Sequence, residues 1–286
     1  MKKIPVRQIN SIEREASFKR FSIRKVQDIS GNEGLIQDLH RHDFFFILAL
    51  QKGTGSHEID FIPYEVPDNS VFLLRPGQVH QLELQAGCTG YLMEFNTEFY
   101  HPKDKPSIQR LRKASNKNFC KPEPGRFERL YDLLGYIFQE YIEKEEGYLD
   151  IIKAILDIFF VEFVRQSTDP KSHSTNINAY TQERLEEFLE LLETRITTHK
   201  QVSQYTELMN LSHYQLNEIT KVTVGKTASE LINEHIILEA KRYLLATSNQ
   251  IKDIADHLGY EDVSYFIRFF KKQSGYSPES FRHKSG

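Results

Sequence analysis

The chain has 286 residues, which is too long for one ordinary domain and indicates about two. Its 39% hydrophobic and 12% aromatic content is enough for packed cores, so a disordered chain is excluded as the default. The net charge of -3 does not by itself suggest nucleic acid, and the 2 cysteines, Cys88 and Cys120, lie outside any disulfide framework or metal-ligand spacing, which indicates a reduced, intracellular protein.

Residues 1–18 carry charges throughout, and the longest apolar run, Phe44 to Leu50, is far shorter than a membrane span. We therefore expect a cytoplasmic protein with no signal peptide and no membrane contact.

The first half of the chain has the pattern of a β-rich domain, because short aromatic and β-branched runs alternate with Gly, Pro, Asn and Asp. The predicted strands are Phe21–Ile29, Phe44–Gln51, Ser56–Phe61, Ser70–Leu74, His80–Leu84 and Tyr91–Phe95. Many short strands at this spacing favour a jelly-roll barrel or sandwich, in which two sheets share one core.

Beyond Pro124 the apolar residues follow a helical period. One helix carries a single apolar stripe, formed by Phe127, Leu130, Leu134, Ile137 and Tyr141. A second helix, Leu149 to Arg165, is apolar on more than one face. It packs one side on a partner subunit or buries both sides in its own domain, and the sequence leaves both open.

Residues 166–179 are polar and contain Pro170, which predicts a linker. From Tyr180 onward the pattern is helical. This last segment carries slightly more carboxylates than cations, so a basic excess is only local. It begins after Ser264, with Arg268, Lys271, Lys272, Arg282 and Lys284.

The strongest feature of the C-terminal third is an internal repeat at an offset of 50 residues. Leu216 to Leu231 aligns with Phe266 to Phe281, apolar on apolar and glycine on glycine at Gly225 and Gly275. Each glycine is placed to end a short helix, and a Thr or Ser two residues later is placed to cap the next.

A further short helix is predicted upstream of each copy, so that helix, tight turn and helix occur twice. This arrangement places a second helix in a DNA major groove. Between the copies, Ala228 to Ala246 predicts a helix of about 28 Å, comparable with the roughly 34 Å between successive major grooves on one DNA face. A helical bundle without a DNA role is the alternative.

The stretch from Ile251 to Arg282, with Ala255, Gly259, Phe266 and Pro278 in place, resembles the C-terminal signature of AraC/XylS-type transcriptional regulators. The resemblance covers roughly residues 201–283. It implies a seven-helix domain with two helix-turn-helix units that binds double-stranded DNA in adjacent major grooves.

The resemblance also implies which residues contact DNA. The first recognition helix would use Ser212, His213, Tyr214, Gln215, Asn217, Glu218 and Lys221. The second helix and its surroundings would use Asp262, Ser264, Tyr265, Arg268, Lys271, Lys272 and Arg282.

Side-chain chemistry suggests individual roles. Arg268 suits guanine, where a bidentate contact discriminates by ~1–3 kcal/mol, or a phosphate. Gln215 and Asn217 suit adenine, although Gln215 is also placed as a helix cap. Phosphate contacts are expected from Lys271, Lys272 and Arg282.

Glu218 stands where many family members carry arginine. A carboxylate at this position repels phosphate and could accept a hydrogen bond only from a cytosine amine. We therefore expect the first helix to be the weaker reader.

In the first half, His40-Arg41-His42 and the later Pro76–His80 segment resemble the two motifs of the cupin barrel. Metal-binding cupins place a glutamate shortly after the first motif, but Phe44–Ile47 occupies that place here. We therefore expect no metal and no cofactor, and histidines that line a pocket or bond the backbone. The predicted effector pocket comprises His40, His42, Phe46 and His80. His57 and His101 are expected at the surface.

The predicted fold class is α+β: an N-terminal cupin-like jelly-roll barrel with two following helices, then an all-α domain with two helix-turn-helix units. The predicted boundaries are 1–120 for the sensor barrel, 121–166 for a helical dimerisation or hinge region, 167–179 for the linker and 180–286 for the DNA-binding domain.

The predicted function is that of a sequence-specific transcriptional regulator without enzymatic activity. Its expected partners are double-stranded DNA, a small-molecule effector, a second copy of the chain and, for an activator, RNA polymerase. The alternatives are a metal-dependent cupin enzyme with a helical appendage and an architectural DNA binder without an effector.

Overall fold

The computed structural model describes residues 6, 7, 9, 20–31, 33–167 and 179–284. These residues form two compact units, one within 6–167 and one within 179–284. Apart from its end positions, the linker predicted over 167–179 lies outside the described residues.

The described strands of the first unit form two five-stranded sheets. One sheet has the order β1-β3-β8-β5-β6 and the other β10-β7-β4-β9-β2, with antiparallel neighbours except for the parallel pair β1 and β3. The strands are β1 (Val6–Arg7), β2 (Phe21–Lys25), β3 (Leu35–His42), β4 (Phe45–Lys52), β5 (Gly55–Ile59), β6 (Ile62–Glu65), β7 (Ser70–Leu74), β8 (Val79–Leu84), β9 (Thr89–Phe95) and β10 (Phe119–Cys120).

The longest apolar run of the chain forms most of strand β4, which is buried on both faces. Phe46 and Leu48 point into the core between the two sheets, while Phe45 and Ile47 point to a second core that includes helical residues. Side chains alternate along a strand, so a strand covered on both faces is apolar at every position. Burial of each large apolar side chain contributes about 1.5–3 kcal/mol.

The helices of the first unit are α1 (Val26–Ser30), α2 (Lys105–Ser115), α3 (Pro124–Glu143) and α4 (Tyr148–Ser167). The strand predicted over Phe21–Ile29 is therefore too long. It ends at Lys25, and Val26 begins a short helix that stops at Gly31, which has a φ of 55°. Helix α2 was not foreseen, although Asp104 caps it by accepting a hydrogen bond from the Ser107 backbone N–H.

The second unit is helical throughout its described elements. They are α5 (Ala179–Arg195), α6 (Val202–Met209), α7 (His213–Val224), α8 (Ala228–Ala246), α9 (Ile251–His257), α10 (Val263–Ser274) and α11 (Pro278–Lys284). The α+β fold class is confirmed.

The repeat predicted from the sequence is present in the backbone, since α7 and α10 begin 50 residues apart and both have 12 residues. Gly225 and Gly275 end them with φ values of 73° and 82°, a conformation that glycine adopts without strain. Thr227 then caps α8 by accepting a hydrogen bond from the Glu230 backbone N–H.

Candidate nucleic-acid interface and effector cavity

Helix α10 has one apolar face and one polar, cationic face. Phe266 and Phe270 are fully buried in the core of the unit. On the other side Arg268 is 69% exposed, and Ser264, Lys271 and Lys272 are exposed beside it. A helix held by aromatic core residues on one side presents its opposite side as a rigid surface, and three cations on that surface suit a polyanion.

The carboxylate of Asp262 has two contacts at the start of α10. Its Oδ1 atom accepts a hydrogen bond from the Ser264 backbone N–H at 2.8 Å, and its Oδ2 atom lies 3.8 Å from Nη2 of Arg268. The first contact caps the helix, and the second holds the arginine loosely, because both side chains are mostly exposed.

Both amide side chains predicted to read adenine from α7 have structural partners. Gln215 completes a capping box with Ser212, as predicted from its position at the start of the helix. Asn217 accepts a hydrogen bond from the Ala228 backbone N–H at 3.0 Å and donates one to the His213 carbonyl at 3.1 Å. The first N–H groups of a helix have no partner within that helix, so Asn217 fixes the start of α8. Sequence reasoning missed this role.

The outward face of α7 carries the predicted residues His213, Tyr214, Glu218 and Lys221, all exposed. Tyr214 is 76% exposed and lies one turn before Glu218 on the same face. Hydrogen bonding to the Glu218 carboxylate and the negative charge of that group raise the pKa of Tyr214. Tyr265, on the second recognition helix α10, is 54% exposed.

Arg282 ties α11 to the end of α8 and the loop after it. Its Nε atom donates to the Leu244 carbonyl at 2.9 Å, and its Nη2 atom donates to the Asn249 carbonyl at 2.7 Å. The phosphate contact predicted for Arg282 is not supported by this geometry, because the guanidinium already serves two carbonyls within the unit.

In the first unit, one end of the space between the sheets is a polar cavity of about 260 Å³. It is lined by Arg24, Ile29, Leu35, Ile36, Gln37, His40, His42, Phe44, Phe46 and Glu94. Three of the four residues predicted for the effector pocket are therefore brought together. His80 is fully buried and does not line the cavity, which corrects that prediction.

His80 instead forms the middle of a chain of imidazoles. Its Nδ1 atom lies 2.9 Å from Nε2 of His57, and its Nε2 atom lies 3.0 Å from Nε2 of His40. The Nδ1 atom of His40 donates to the Asp38 carbonyl at 2.8 Å, so one direction of donation along the chain satisfies every contact. In this direction His57 donates from Nε2, and its Nδ1 atom is a bare acceptor.

The prediction that His57 lies at the surface is wrong, because its side chain is fully buried. Residues i and i+2 of a strand share a face, and the alternation in β5 places His57 and Ile59 on the inner side. Burial, followed by repulsion from His42 and His40, lowers the pKa of His57 to about 3. His101 is exposed, as predicted.

A largely buried ion pair in the cavity was not foreseen. The Nη2 atom of Arg24 in β2 lies 2.8 Å from Oε2 of Glu94 in β9, and the two side chains are 24% and 9% exposed. The Nε atom of Arg24 and the Oε1 atom of Gln37 are buried without a hydrogen-bond partner among the described residues. The signal in the sequence was a charged residue within each of two apolar strands.

A helix-turn-helix domain model matches residues 205–284, and an AraC-like ligand binding domain model matches residues 34–102. The chain belongs to the AraC/XylS family of transcriptional regulators. As a member of this family it is a DNA-binding regulator with an N-terminal ligand-binding domain.

Curated relatives of this AraC-family regulator include two transcriptional activators. It is 23% identical over 246 residues to the HTH-type transcriptional activator RhaS of Escherichia coli O157:H7, covering 85% of this chain and 86% of the relative. It is 24% identical over 251 residues to RhaS of Mannheimia succiniciproducens, covering 85% and 88%.

Two solved structures are also similar to the regulator. The C-terminal domain of the two-component response regulator yesN from Fusobacterium nucleatum has 29% identity and a TM-score of 0.33, covering 35% of this chain and 98% of that one. ToxT from Vibrio cholerae O395 has 18% identity and a TM-score of 0.43, covering 93% and 98%.

The cupin-type histidines of this AraC-family regulator do not fit a metal centre. Both ring nitrogens of His80 face other imidazoles, and the apolar segment Phe44–Ile47 stands where the cupin carboxylate would be. Within the described residues, no three His, Cys, Asp or Glu side chains are grouped so that they could hold an ion. Among the described helices, none combines the length and apolar character that crossing a bilayer requires.

Proposed function

We propose that this regulator recognises one operator with α7 and α10 in successive major grooves, and that α10 is the stronger reader. The observation that carries the proposal is the cationic face of α10, where Arg268 is 69% exposed directly opposite the buried Phe266 and Phe270. Arginine at such a position suits the O6 and N7 acceptors of guanine.

The connection between the two helix-turn-helix units supports this spacing. Helix α8 has 19 residues, so its length is about 28 Å at 1.5 Å per residue. Successive major grooves on one face of DNA are roughly 34 Å apart. A rigid helix of this length between two recognition helices suits simultaneous contact with both grooves.

The test is DNA footprinting with duplexes from upstream of the protein's own gene and its neighbours, at two salt concentrations. Wild type should protect a site spanning two major grooves, more weakly at high salt. Arg268→Ala should lose preference for that site over random DNA by roughly tenfold or more. The matched control is Arg129→Ala, which removes an exposed arginine from α3. A wild type without any preferred site would refute the proposal.

The cavity of about 260 Å³ holds a small polar effector. Its charged side chains, Arg24 and Glu94, already neutralise each other, so a net charge on the ligand gains little there. The unpartnered Nε of Arg24 and Oε1 of Gln37 offer one donor and one acceptor, which suits groups that both accept and donate. An unsatisfied buried polar group costs about 1–3 kcal/mol, which a ligand would recover in part.

A second copy of the chain docks on α4. The buried side of this helix, including Ile155 and Phe159, packs within its own unit. The outer side carries an apolar seam at alternating spacings of three and four residues, formed by Ile151, Ala154, Ile158 and Val161, with Arg165 at its end. Apolar residues at this spacing suit helix pairing, and the small Ala154 permits close approach. In this proposal the two predicted roles of α4 occur together: its inner side packs in the core of its own unit, and its outer side packs on the second copy.

We also propose that the regulator activates transcription with RNA polymerase as a partner, because its RhaS relatives are activators. Run-off transcription from the footprinted promoter with purified polymerase tests it. A decrease in transcript on addition of the regulator would indicate repression instead.

A further inference from the structure

The two recognition helices present opposite charges at the same position of the repeat. Both helices have 12 residues and the same glycine stop, so the offset of 50 residues aligns them position by position. Glu218 of α7 corresponds to Arg268 of α10, and Val222 corresponds to Lys272. The face that carries three cations on α10 carries one carboxylate and one lysine on α7. The two faces therefore cannot read the same base chemistry.

On α7 the candidates for reading a base are few. The amides of Gln215 and Asn217 already have hydrogen-bond partners within the unit. Glu218 is exposed near the middle of the helix, on the side opposite the buried Leu216 and Thr220. The Glu218 carboxylate is thus the central polar group that α7 offers to a groove.

Tyr214 lies beside this carboxylate, one turn earlier on the same face. Both side chains are exposed, and residues at this spacing are neighbours on a helix surface, where the Glu218 carboxylate raises the pKa of Tyr214. Residues four apart on a helix lie one above the other, so the pair forms one small acceptor surface.

The pattern of groups in the major groove selects one base for such a surface. An ionised carboxylate only accepts hydrogen bonds, whereas guanine N7 and O6 and thymine O4 are acceptors themselves. Adenine offers an amine, but its N7 acceptor lies next to that amine. Cytosine offers its N4 amine with no neighbouring acceptor on the same base edge.

We propose that Glu218, with Tyr214 beside it, selects a cytosine in the half-site beneath α7. The inference rests on the proposed binding of both recognition helices to one operator. The carboxylate also repels the phosphates that flank the groove, so it lowers affinity for every DNA sequence. The loss is smallest where a cytosine amine faces the carboxylate. Specificity at this half-site then arises by exclusion of wrong bases more than by added affinity.

The test uses the footprinted operator, with each base pair beneath α7 replaced in turn by the other three. Wild type should prefer cytosine over the other bases at one position by about tenfold or more. Glu218→Gln should lose that preference, shift towards adenine, and bind random DNA more tightly. Tyr214→Phe should weaken the preference without changing affinity for random DNA. Circular dichroism melts check that every variant is folded.

The matched control is Glu207→Gln, which removes an exposed carboxylate from α6 in the same helix-turn-helix unit. It should keep the cytosine preference, even if general affinity rises through the lost charge. This separates a base contact from a change in net charge.

Two results would overturn the inference while leaving the proposed function intact. In one, Arg268→Ala loses operator preference but Glu218→Gln discriminates as wild type does at every position beneath α7. In the other, wild type prefers thymine there and loses affinity when deoxyuridine replaces it, which would assign the reading to apolar contact of Tyr214 or Val222 with the thymine methyl group. If no operator is preferred by wild type, the proposed function itself fails, and the inference with it.

Discussion

The Nη2 atom of Arg268 lies 3.8 Å from the Oδ2 atom of Asp262, the residue whose other carboxylate oxygen caps the same helix. The side chain predicted to read guanine is therefore partnered by a carboxylate before DNA is bound. This partner must release the arginine when the helix enters the groove.

Asp262→Asn removes this partner while keeping a residue that caps helices equally well. We expect binding of random DNA to be tighter by a factor of roughly 1.4 to 5, since an exposed ion pair is worth about 0.2–1 kcal/mol. Fluorescence anisotropy with a scrambled duplex measures it. Asp256→Asn removes the same charge from α9 and is the control. An equal gain in both variants would show that only net charge matters.

Arg282→Ala removes two hydrogen bonds between α11 and the end of α8. We expect the free energy of unfolding of the second unit to fall by about 1–3 kcal/mol, because two carbonyls lose their partner. Urea unfolding followed by circular dichroism measures this. The exposed Lys272→Ala should leave stability unchanged and weaken DNA binding. An Arg282→Ala protein as stable as wild type but weak in DNA binding would restore the phosphate role.

Burial of neutral His57 makes the first unit sensitive to acid. The pKa of His57 is about 3 when folded and 6.5 at its ordinary value, so the unfolded chain takes up a proton first as pH falls. Stability is therefore full above pH 6.5 and is lost progressively towards pH 3, by up to about 1.4 kcal/mol per pH unit. His57→Gln should flatten this slope in urea unfolding, whereas the exposed His101→Gln should not. Identical slopes in all three proteins would contradict the buried neutral imidazole.

Substitution of two isoleucines one turn apart on α4 tests dimerisation through its outer seam. Ile158 is 52% exposed and Ile155 is 5% exposed. We expect Ile158→Asp to be a folded monomer by sedimentation velocity at micromolar concentration, and Ile155→Asp to be destabilised because a charge enters the core. Ile142→Asp, on an exposed isoleucine of α3 outside the seam, should remain dimeric. A dimeric Ile158→Asp protein would exclude the seam.

The Arg24–Glu94 ion pair in the cavity can be tested through its effect on effector binding. In a thermal-shift panel of sugars, polyols and amino acids, a molecule that stabilises wild type should bind Glu94→Gln about tenfold or more weakly, because Glu94 no longer positions the Arg24 guanidinium whose Nε atom is the proposed donor to the ligand. Glu98→Gln, which alters an exposed carboxylate 65% accessible to solvent, should bind as wild type does. Equal binding by both variants, or no stabilising molecule in the panel, would count against an effector in this cavity.

The helices of the second unit were predictable to within a few residues because their signals are local. Gly225 and Gly275 end their helices, and Thr227 begins α8, through contacts that span only three or four positions. Repetition of these signals at an offset of 50 residues made the double helix-turn-helix recognisable without any tertiary information.

The sequence predicted a barrel correctly, but it predicted the bounds and the number of its strands less accurately. The strand predicted to continue through Ile29 stops at Lys25, and β3 (Leu35–His42) and β6 (Ile62–Glu65) were not foreseen. Short strands gain most of their stability from cross-strand neighbours distant in sequence, so their ends depend on partners that a local pattern does not contain.

By itself, the sequence determined the family, the two helix-turn-helix units and the outward-facing residues of α10, since helical period and capping act over one or two turns. Only the tertiary structure showed that Arg24 meets Glu94 across 70 positions and that His57 closes a chain of buried imidazoles. It also showed that Arg282 supports α8 while Asn217 caps it. The physical reason is the same in each case: a polar side chain can face water or a buried partner, and that choice depends on which distant segment the fold brings beside it.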